Sequence, residues 1–405
     1  MPHTLNSKYI IHLGFSGFPK GNASVQRTRL TFKGLKEQGH NCFIINKISH
    51  HEKQVKFKSK WSRSEGIAYI NTALLDYRPD SILTRNLNKV SGYVGEFILL
   101  FKYRKKIQTA ILYSNYFAEL PYYRLLSKMF NFKIVYQYVE FFSKIPGRDS
   151  FFTKINDKLI DNYFFKFCHG VICISDYLME HLRSKDKGIP AIKLPANCDY
   201  NALERVKSVQ IDPYIMYCGT IYYEEVIVFI LDIFENLKEN NSYKGNLLLI
   251  LSGNHDTKWV QLSSRLNSHP YFESIILRKN QPINDILPYY LAADVLLIPL
   301  RNTIQDVARF PHKIGEYTAS KRPIISTNVG EVKKYFIDGI SAILTETYAV
   351  EEYAQKLSEA LTQKEWLSVV GKKGYEIGIQ NFDYRAQSKK LSDFIWLINK
   401  RNGQF

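Results

Sequence analysis

Between positions 310 and 327 the chain reads F-P-H-K-I-G-E-Y-T-A-S-K-R-P-I-I-S-T. Pro311 suits a helix start, because a first-turn proline gives up no hydrogen bond that the helix needs. A helix over 312–320 presents unpaired backbone N–H groups and the positive end of its dipole, a setting for a phosphate. Lys313, and Arg309 just before it, add full charges of the kind that stabilise a departing diphosphate. Glu316 falls at i+3 from Lys313, on the same helical face. A carboxylate there can accept both hydroxyls of a ribose. The same spacing also fits a surface Lys–Glu pair on an ordinary helix.

A second group of such residues lies in the first half. Gly14, Gly17 and Gly21 follow an apolar run and precede an amphipathic stretch over 23–38. Glycines are required by any tight strand-to-helix turn, so the run alone is a weak signal. A dinucleotide site wants an acidic residue closing the next strand; C-F-I-I-N-K ends in Lys47 instead, which counts against NAD. Arg27, one turn into the helix, either points toward a ligand or lies on a solvated face. Glu140 stands just past I-V-Y-Q-Y-V, where functional residues collect beyond a buried strand; the alternative is a helix-capping or surface glutamate. The histidines show no metal-ligand spacing.

These residues need a scaffold, and the apolar pattern supplies one. Candidate strands fall at 9–14, 42–46, 81–85, 110–113, 133–137 and 170–175, and again at 214–219, 247–253, 274–277, 294–299 and 323–327. Near-continuous apolar runs separated by helix-length segments indicate parallel sheets covered on both faces. The pattern restarts near Tyr214, which predicts an N-terminal domain over 1–205 and a C-terminal domain over 206–380. Apolar residues at helical spacing in 384–400 predict a closing helix within 381–405, packed on the N-terminal domain. A length of 405 residues suits two such domains.

Charge divides unevenly: residues 1–200 hold 31 Lys and Arg against 15 Asp and Glu, and residues 201–405 hold 24 against 23. The basic half is thus expected to meet something anionic. Aromatic and basic residues interleave between Phe97 and Phe167, which suits an anionic membrane surface. Nucleic acid fits the charge but no recognition module is present. No run approaches the roughly 18 apolar residues of a membrane span, and no secretion signal is read at the N-terminus. Five cysteines without C-x-x-C spacing suggest thiols in a reducing compartment, hence a cytoplasmic protein.

The segment from Pro311 resembles the donor-site signature of family 4 retaining glycosyltransferases, P-x-K-x-x-E-Y-x-A-x-x-x-P before a strand. G-F-S-G-F-P-K-G-N-A, E-Q-G-H-N, V-I-C-I-S-D-Y-L, Y-C-G-T-I, I-L-S-G-N and Y-Y-L-A-A-D-V-L-L-I-P-L follow the same family's order. I-V-Y-Q-Y-V-E-F-F is similar to the D-V-V-E-W segment of one branch. The resemblance implies the α/β GT-B fold: two facing Rossmann-like, doubly wound parallel-sheet domains with a closing C-terminal helix. It implies a nucleotide diphosphate sugar as donor and retention of anomeric configuration; no metal is expected, since no carboxylate pair of the D-x-D kind stands at a strand end. By position, Glu316 matches the ribose glutamate, Lys313 and Arg309 fall at diphosphate contacts, Gly219 and Thr220 face the donor phosphates, and Gly253 ends a strand near the base. Gly17, Lys20, Gly21 and Asn22 match the loop near donor or acceptor, and Glu140 a position facing the sugar. Two departures stand out. Ala308 occupies a position where many members have an acid, with Asp306 close by. Thr220 and Glu225 replace an Arg and a Lys, so phosphate neutralisation falls to Arg309, Lys313 and the helix end.

The expectation is a glycosyltransferase acting on a glycan or lipid-linked acceptor in cell-surface polysaccharide or glycoconjugate synthesis. A sugar-nucleotide epimerase of the same fold, or a non-catalytic nucleotide-sugar-binding subunit, are the alternatives.

Overall fold

The computed structural model describes residues 8–14, 17–19, 21, 23–47, 61–75 and 77–400. The chain forms two compact units: Met1–Asn197 together with Tyr384–Phe405, and Cys198–Asp383.

The first unit is built on β1 (Tyr9–Gly14), β2 (Asn41–Asn46), β3 (Trp61–Ser64), β4 (Ile67–Asn71), β5 (Ile107–Tyr113), β6 (Lys133–Tyr138), β7 (Gly170–Cys173) and β8 (Ala191–Lys193). They form one sheet in the order β3-β4-β2-β1-β5-β6-β7-β8. All pairs are parallel except β3 against β4, a hairpin turning at Glu65 and Gly66. Interior strands such as β5 (I-Q-T-A-I-L-Y) are buried along nearly their whole length, as a sheet covered on both faces requires. The order reverses at β1, whose neighbours are β2 and β5. In open α/β sheets ligands sit beyond the carboxyl ends of the strands at such a reversal.

The helices of this unit include α1 (Ala23–Glu37), α2 (Ile82–Tyr103), α3 (Glu119–Phe130) and α4 (Phe151–Tyr163). The strand expected at 81–85 does not exist. Ser81 is extended and α2 starts at Ile82, with the Arg85 N–H already bonded to the Ser81 carbonyl. The run S-I-L-T-R has strand composition, but Leu83, Leu87, Val90 and Val94 recur at helical spacing, and that longer period prevails. The sheet positions on that flank are filled by β3 and β4, which the sequence pattern did not reveal.

The last helix, Tyr384–Lys400, lies beside α1. Leu391, Phe394, Ile395 and Ile398 share a core with Phe32 and Leu35 of α1 and with Ile10 and Ile44 of the sheet. The Tyr384 hydroxyl donates to Glu37 at 2.8 Å. The C-terminal residues are thus part of the N-terminal core.

The second unit holds β9 (Tyr214–Thr220), β10 (Asn246–Ser252), β11 (Ile275–Lys279), β12 (Val295–Ile298), β13 (Ile324–Thr327) and β14 (Ile343–Thr345). Their order is β11-β10-β9-β12-β13-β14 and every pair is parallel. Its reversal falls at β9, between β10 and β12. Helices Glu224–Glu239 and Val350–Leu361 cover one face, burying Phe229, Phe234, Tyr353 and Leu357 on strand residues such as Ile215 and Leu249.

By unit the charge is more lopsided than by half. The first carries 36 Lys and Arg against 15 Asp and Glu, a formal +21; the second carries 19 against 23, a formal −4. Among the described residues no helix is long and apolar enough to cross a membrane.

Candidate functional site

At the reversal point of the second sheet, helix Lys313–Ala319 sits on the end of β9: the Cys218 backbone N–H, at that strand end, donates to the Tyr317 hydroxyl at 2.9 Å. This short helix carries the two residues whose spacing stood out. Lys313 Nζ lies 2.8 Å from Glu316 Oε2 and 3.0 Å from the Tyr290 hydroxyl, and Tyr290 donates to the same Glu316 oxygen at 2.9 Å. Tyr290 belongs to helix Ile283–Ala292 and is fully buried. Glu316 is buried too, its side chain only 10% exposed, whereas that of Lys313 keeps 27%. The pair is therefore not a solvated surface bridge. Burial works against the charge on Glu316, but Lys313, His312 and the two hydrogen bonds outweigh it and hold the carboxyl below its usual range. Burial likewise opposes the Lys313 charge, and Cys218 and Glu316 raise its pKa in spite of that. Both hydrogen bonds fall on Oε2, so among the described residues Glu316 Oε1 accepts none. The arrangement is a fixed carboxylate with one accepting edge, beside an ammonium group on a partly exposed lysine side chain.

A second charged cluster stands next along the chain. Asp306 is fully buried in helix Ile304–Ala308 and is gripped by Arg301 Nε at 2.8 Å and by Arg309 at 2.7 Å. Arg301 reaches Glu225 at 2.7 Å as well. Arg309 also lies over the Tyr223 ring, 4.5 Å from its centroid. Asp306 is thus neutralised by two arginines, and Glu225, standing where the resembled family has a lysine, is matched by Arg301. Ala308 is buried. Thr220 donates its hydroxyl to the Ser252 carbonyl at 2.9 Å, tying the ends of β9 and β10 together. Gly219 lies in β9 one residue before it. Gly253 directly follows β10 with φ at +148°, and a Cβ there would stand 2.4 Å from Ile221 Cγ2.

In the first unit, Glu140 lies two residues beyond β6, and its charge acts on Arg27 of α1 and on Tyr113 at the end of β5. The Arg27 guanidinium carbon stands 6.0 Å from the centre of the Tyr113 ring. These residues come together at the carboxyl ends of β1, β5 and β6, the reversal point of this sheet. Gly14, with φ at +90°, ends β1 there; a Cβ would meet the Tyr113 carbonyl oxygen at 2.0 Å, so only glycine allows the contact. Gly17 is half-buried and Gly21 exposed, immediately ahead of α1. Lys20 and Asn22 lie outside the described residues. Lys47 is buried, paired with Glu119 and bonded to the Tyr123 hydroxyl at 2.9 Å.

Tyr290, Tyr317, Cys218 and Arg301 escape a reading of the sequence alone. Arg301 carries a signal: it follows β12 by three residues, a strand-end position. Tyr290 stands inside Y-Y-L-A-A-D, one of the segments that keep the family's order along the chain.

The architecture has known counterparts. A sucrose-phosphate synthase from Thermosynechococcus elongatus superposes with a TM-score of 0.75 at 15% identity, over 96% of this chain and 99% of that one. A glycosyltransferase from Rickettsia africae gives 0.71 at 17% identity, over 98% and 100%. The fold is GT-B. Anabaena HepE, solved with UDP and glucose, shares this GT-B architecture with a TM-score of 0.68 at 12% identity, over 96% and 100%. Residues 212–363, which include the whole Lys313–Glu316–Tyr290 group, match the family model of glycosyl transferases group 1. No curated protein sequence matches the chain.

Proposed function

We propose that the protein is a glycosyltransferase of the family 4 type, moving a hexosyl or related unit from a nucleotide diphosphate sugar to a hydroxyl of a glycan or lipid-linked acceptor. The setting is cell-surface polysaccharide or glycoconjugate synthesis, in the cytoplasm or on the inner face of the cell membrane. The observation that carries the reading is the Lys313–Glu316–Tyr290 group at the end of β9, inside the segment matching glycosyl transferases group 1. Glu316 Oε1 accepts the ribose hydroxyls, Tyr290 fixes the carboxylate's rotamer, and Lys313 faces the diphosphate. Arg309 and the backbone near Gly219, Thr220 and Gly253 line the same end of the sheet. Because HepE binds UDP and glucose, uridine diphosphate sugars are the first donors to test.

Transfer proceeds with retention and without a metal. The acceptor oxygen attacks the anomeric carbon on the face from which the diphosphate leaves; the C–O bond to the diphosphate breaks, and a leaving phosphate oxygen takes the acceptor proton. Lys313 stabilises the charge that builds on the diphosphate. Glu140, with Arg27 and the Gly17–Gly21 loop, orients the acceptor and offsets positive charge at the sugar carbon.

Calorimetric titration with UDP and 2′-deoxy-UDP tests the reading. The wild type binds UDP more tightly than the deoxy analogue. Glu316→Gln weakens UDP binding by about tenfold or more and abolishes that preference, as loss of charged hydrogen bonds does. An unchanged Kd removes the ribose assignment. One observation favours a second reading, a non-catalytic nucleotide-sugar-binding subunit: Glu225 replaces a phosphate-facing lysine and engages Arg301. Nucleotide binding without transfer or donor hydrolysis would decide for it.

A further inference from the structure

We propose that the first unit docks on an anionic phospholipid bilayer through the projecting half of α2 and the first turn of α4. Helix α2 is positioned by two close approaches. Gly92 packs on the carbonyl of Lys47, the residue after β2, and Gly95 on that of Thr72, the residue after β4; an added Cβ would lie 2.1 Å and 2.3 Å from those oxygens. Positions 92–95 therefore stand level with the carboxyl edge of the sheet. The helix runs back from there to Tyr103, whose ring meets Tyr9, the first residue of β1. Residues 82–91 thus extend past the carboxyl edge by about 15 Å, at 1.5 Å per residue.

This projecting half is apolar where a solvated helix would be polar. Leu83, Leu87, Val90 and Val94 are each more than half exposed, with Ile82 and Leu74 beside them. Their spacing of four, three and four continues through Phe97 and Phe101, which lean on Phe130 of α3, and α3 adds exposed Leu125 and Met129. The same sheet edge bears the first turn of α4. Asn156 of α4 is bonded to the backbone of Asn115 and Phe117, just beyond β5. Phe151 and Phe152, at the start of α4, are 72% and 82% exposed. Scattered exposed apolar residues are ordinary, but a row of them along one helix face, with two exposed phenylalanines at the same sheet edge, marks an interaction surface.

The charges choose the occupant. Within residues 82–106 and 119–130 the only acids are Glu96 and Glu119, and both are buried. Every exposed charge on this stretch is basic: Lys89 on the projecting half, Lys128 on α3, and Lys102, Lys105 and Lys106 at the far end of α2. At the docking end the exposed charges are Arg78, Lys89, Lys154 and Lys158 against Asp80 and Asp149, the last paired with Lys154, so the apolar stripe is cationic on balance and suits acyl chains below anionic headgroups. It disfavours a second copy, whose equally basic face would meet it, in a unit carrying +21 overall. The surface stands on the geometry of this unit by itself. Its consequence, that the acceptor hydroxyl is presented from a bilayer, rests on the transfer reading above.

Flotation of the full chain with vesicles tests the proposal. The wild type floats with vesicles of phosphatidylcholine and phosphatidylglycerol and not with phosphatidylcholine alone. Replacing the three exposed residues together, Leu83→Ser, Leu87→Ser and Val90→Ser, lowers vesicle binding by about tenfold or more. UDP binding stays unchanged in that variant. A Leu87→Trp reporter shifts its emission to the blue on anionic vesicles. Vesicle binding unaffected by the triple change, or no binding at all, overturns the proposal. So does sedimentation showing a dimer that the same changes dissociate, which makes the surface a contact between copies. If vesicles bind and UDP does not, the docking surface stands and the transfer reading falls.

Discussion

Arg301 shows why a charged residue cannot be judged from its neighbours in sequence alone. Its two carboxylate partners are Asp306, five residues away, and Glu225, 76 residues away. Lys313 and Glu316 are legible because they are three positions apart on one helix; Tyr290, which fixes their geometry, is 26 residues from Glu316 and is not. Long-range partners leave no periodic trace. His12 makes the same point from the core. It lies in β1 between apolar residues, fully buried, its ring edge-on to Phe32 and neither nitrogen hydrogen-bonded among the described residues. Burial, and after it the Arg27 charge, push its pKa down to about 3. The unfolded chain then takes up this proton first, so stability falls as pH drops below the ordinary histidine value and levels off near the folded one. At about 1.4 kcal/mol per pH unit, His12→Leu should gain about 2 kcal/mol on the wild type between pH 8 and pH 5. Urea midpoints at the two pH values measure this; a difference independent of pH refutes it.

Elements are readable where one period dominates. The parallel strands in the middle of both sheets are continuous apolar runs, and α1 and the last helix carry apolar residues at helical spacing. The failures lie at the flank of the first sheet. β3 is a four-residue strand, W-S-R-S, with exposed and half-buried residues and no apolar run to mark it. The segment at 81–85 misleads because five residues cannot distinguish a strand from the first turn of a helix. The last helix is a structural member rather than a tail. Phe394 is buried in the core shared with α1, so Phe394→Ala should cost about 3–5 kcal/mol. Hydrogen exchange in α1 and β1 is expected to speed up while helix Glu224–Glu239 is unaffected; faster exchange in that helix as well would contradict the assignment of the last helix to the first unit.

At the scale of the molecule, a formal charge of +17 conceals two unlike units, +21 and −4. The last helix adds basic residues to the first unit, which no division of the sequence at its midpoint can reveal. Self-repulsion of this size lowers stability and is relieved by salt. Raising ionic strength from about 0.01 M to about 0.15 M shortens the screening length from about 30 Å to about 8 Å. The melting temperature of the first unit should rise over that range and that of the second should hardly move, as calorimetry with domain-resolved exchange would show. Equal shifts in both would leave the charge argument without support.

The shared core of α1 and the last helix also sets an order of events during synthesis. Residues 198–383 are contiguous, so the second unit has all its parts once they leave the ribosome. The first unit, begun earlier, lacks Leu391, Phe394, Ile395 and Ile398 until those residues have been made. Its sheet must wait, with an apolar face uncovered, while some 190 later residues are made. The first unit therefore matures after the second, and a ribosome stalled within residues 384–400 leaves a nascent protein whose second unit is folded and whose first unit is a client for chaperones.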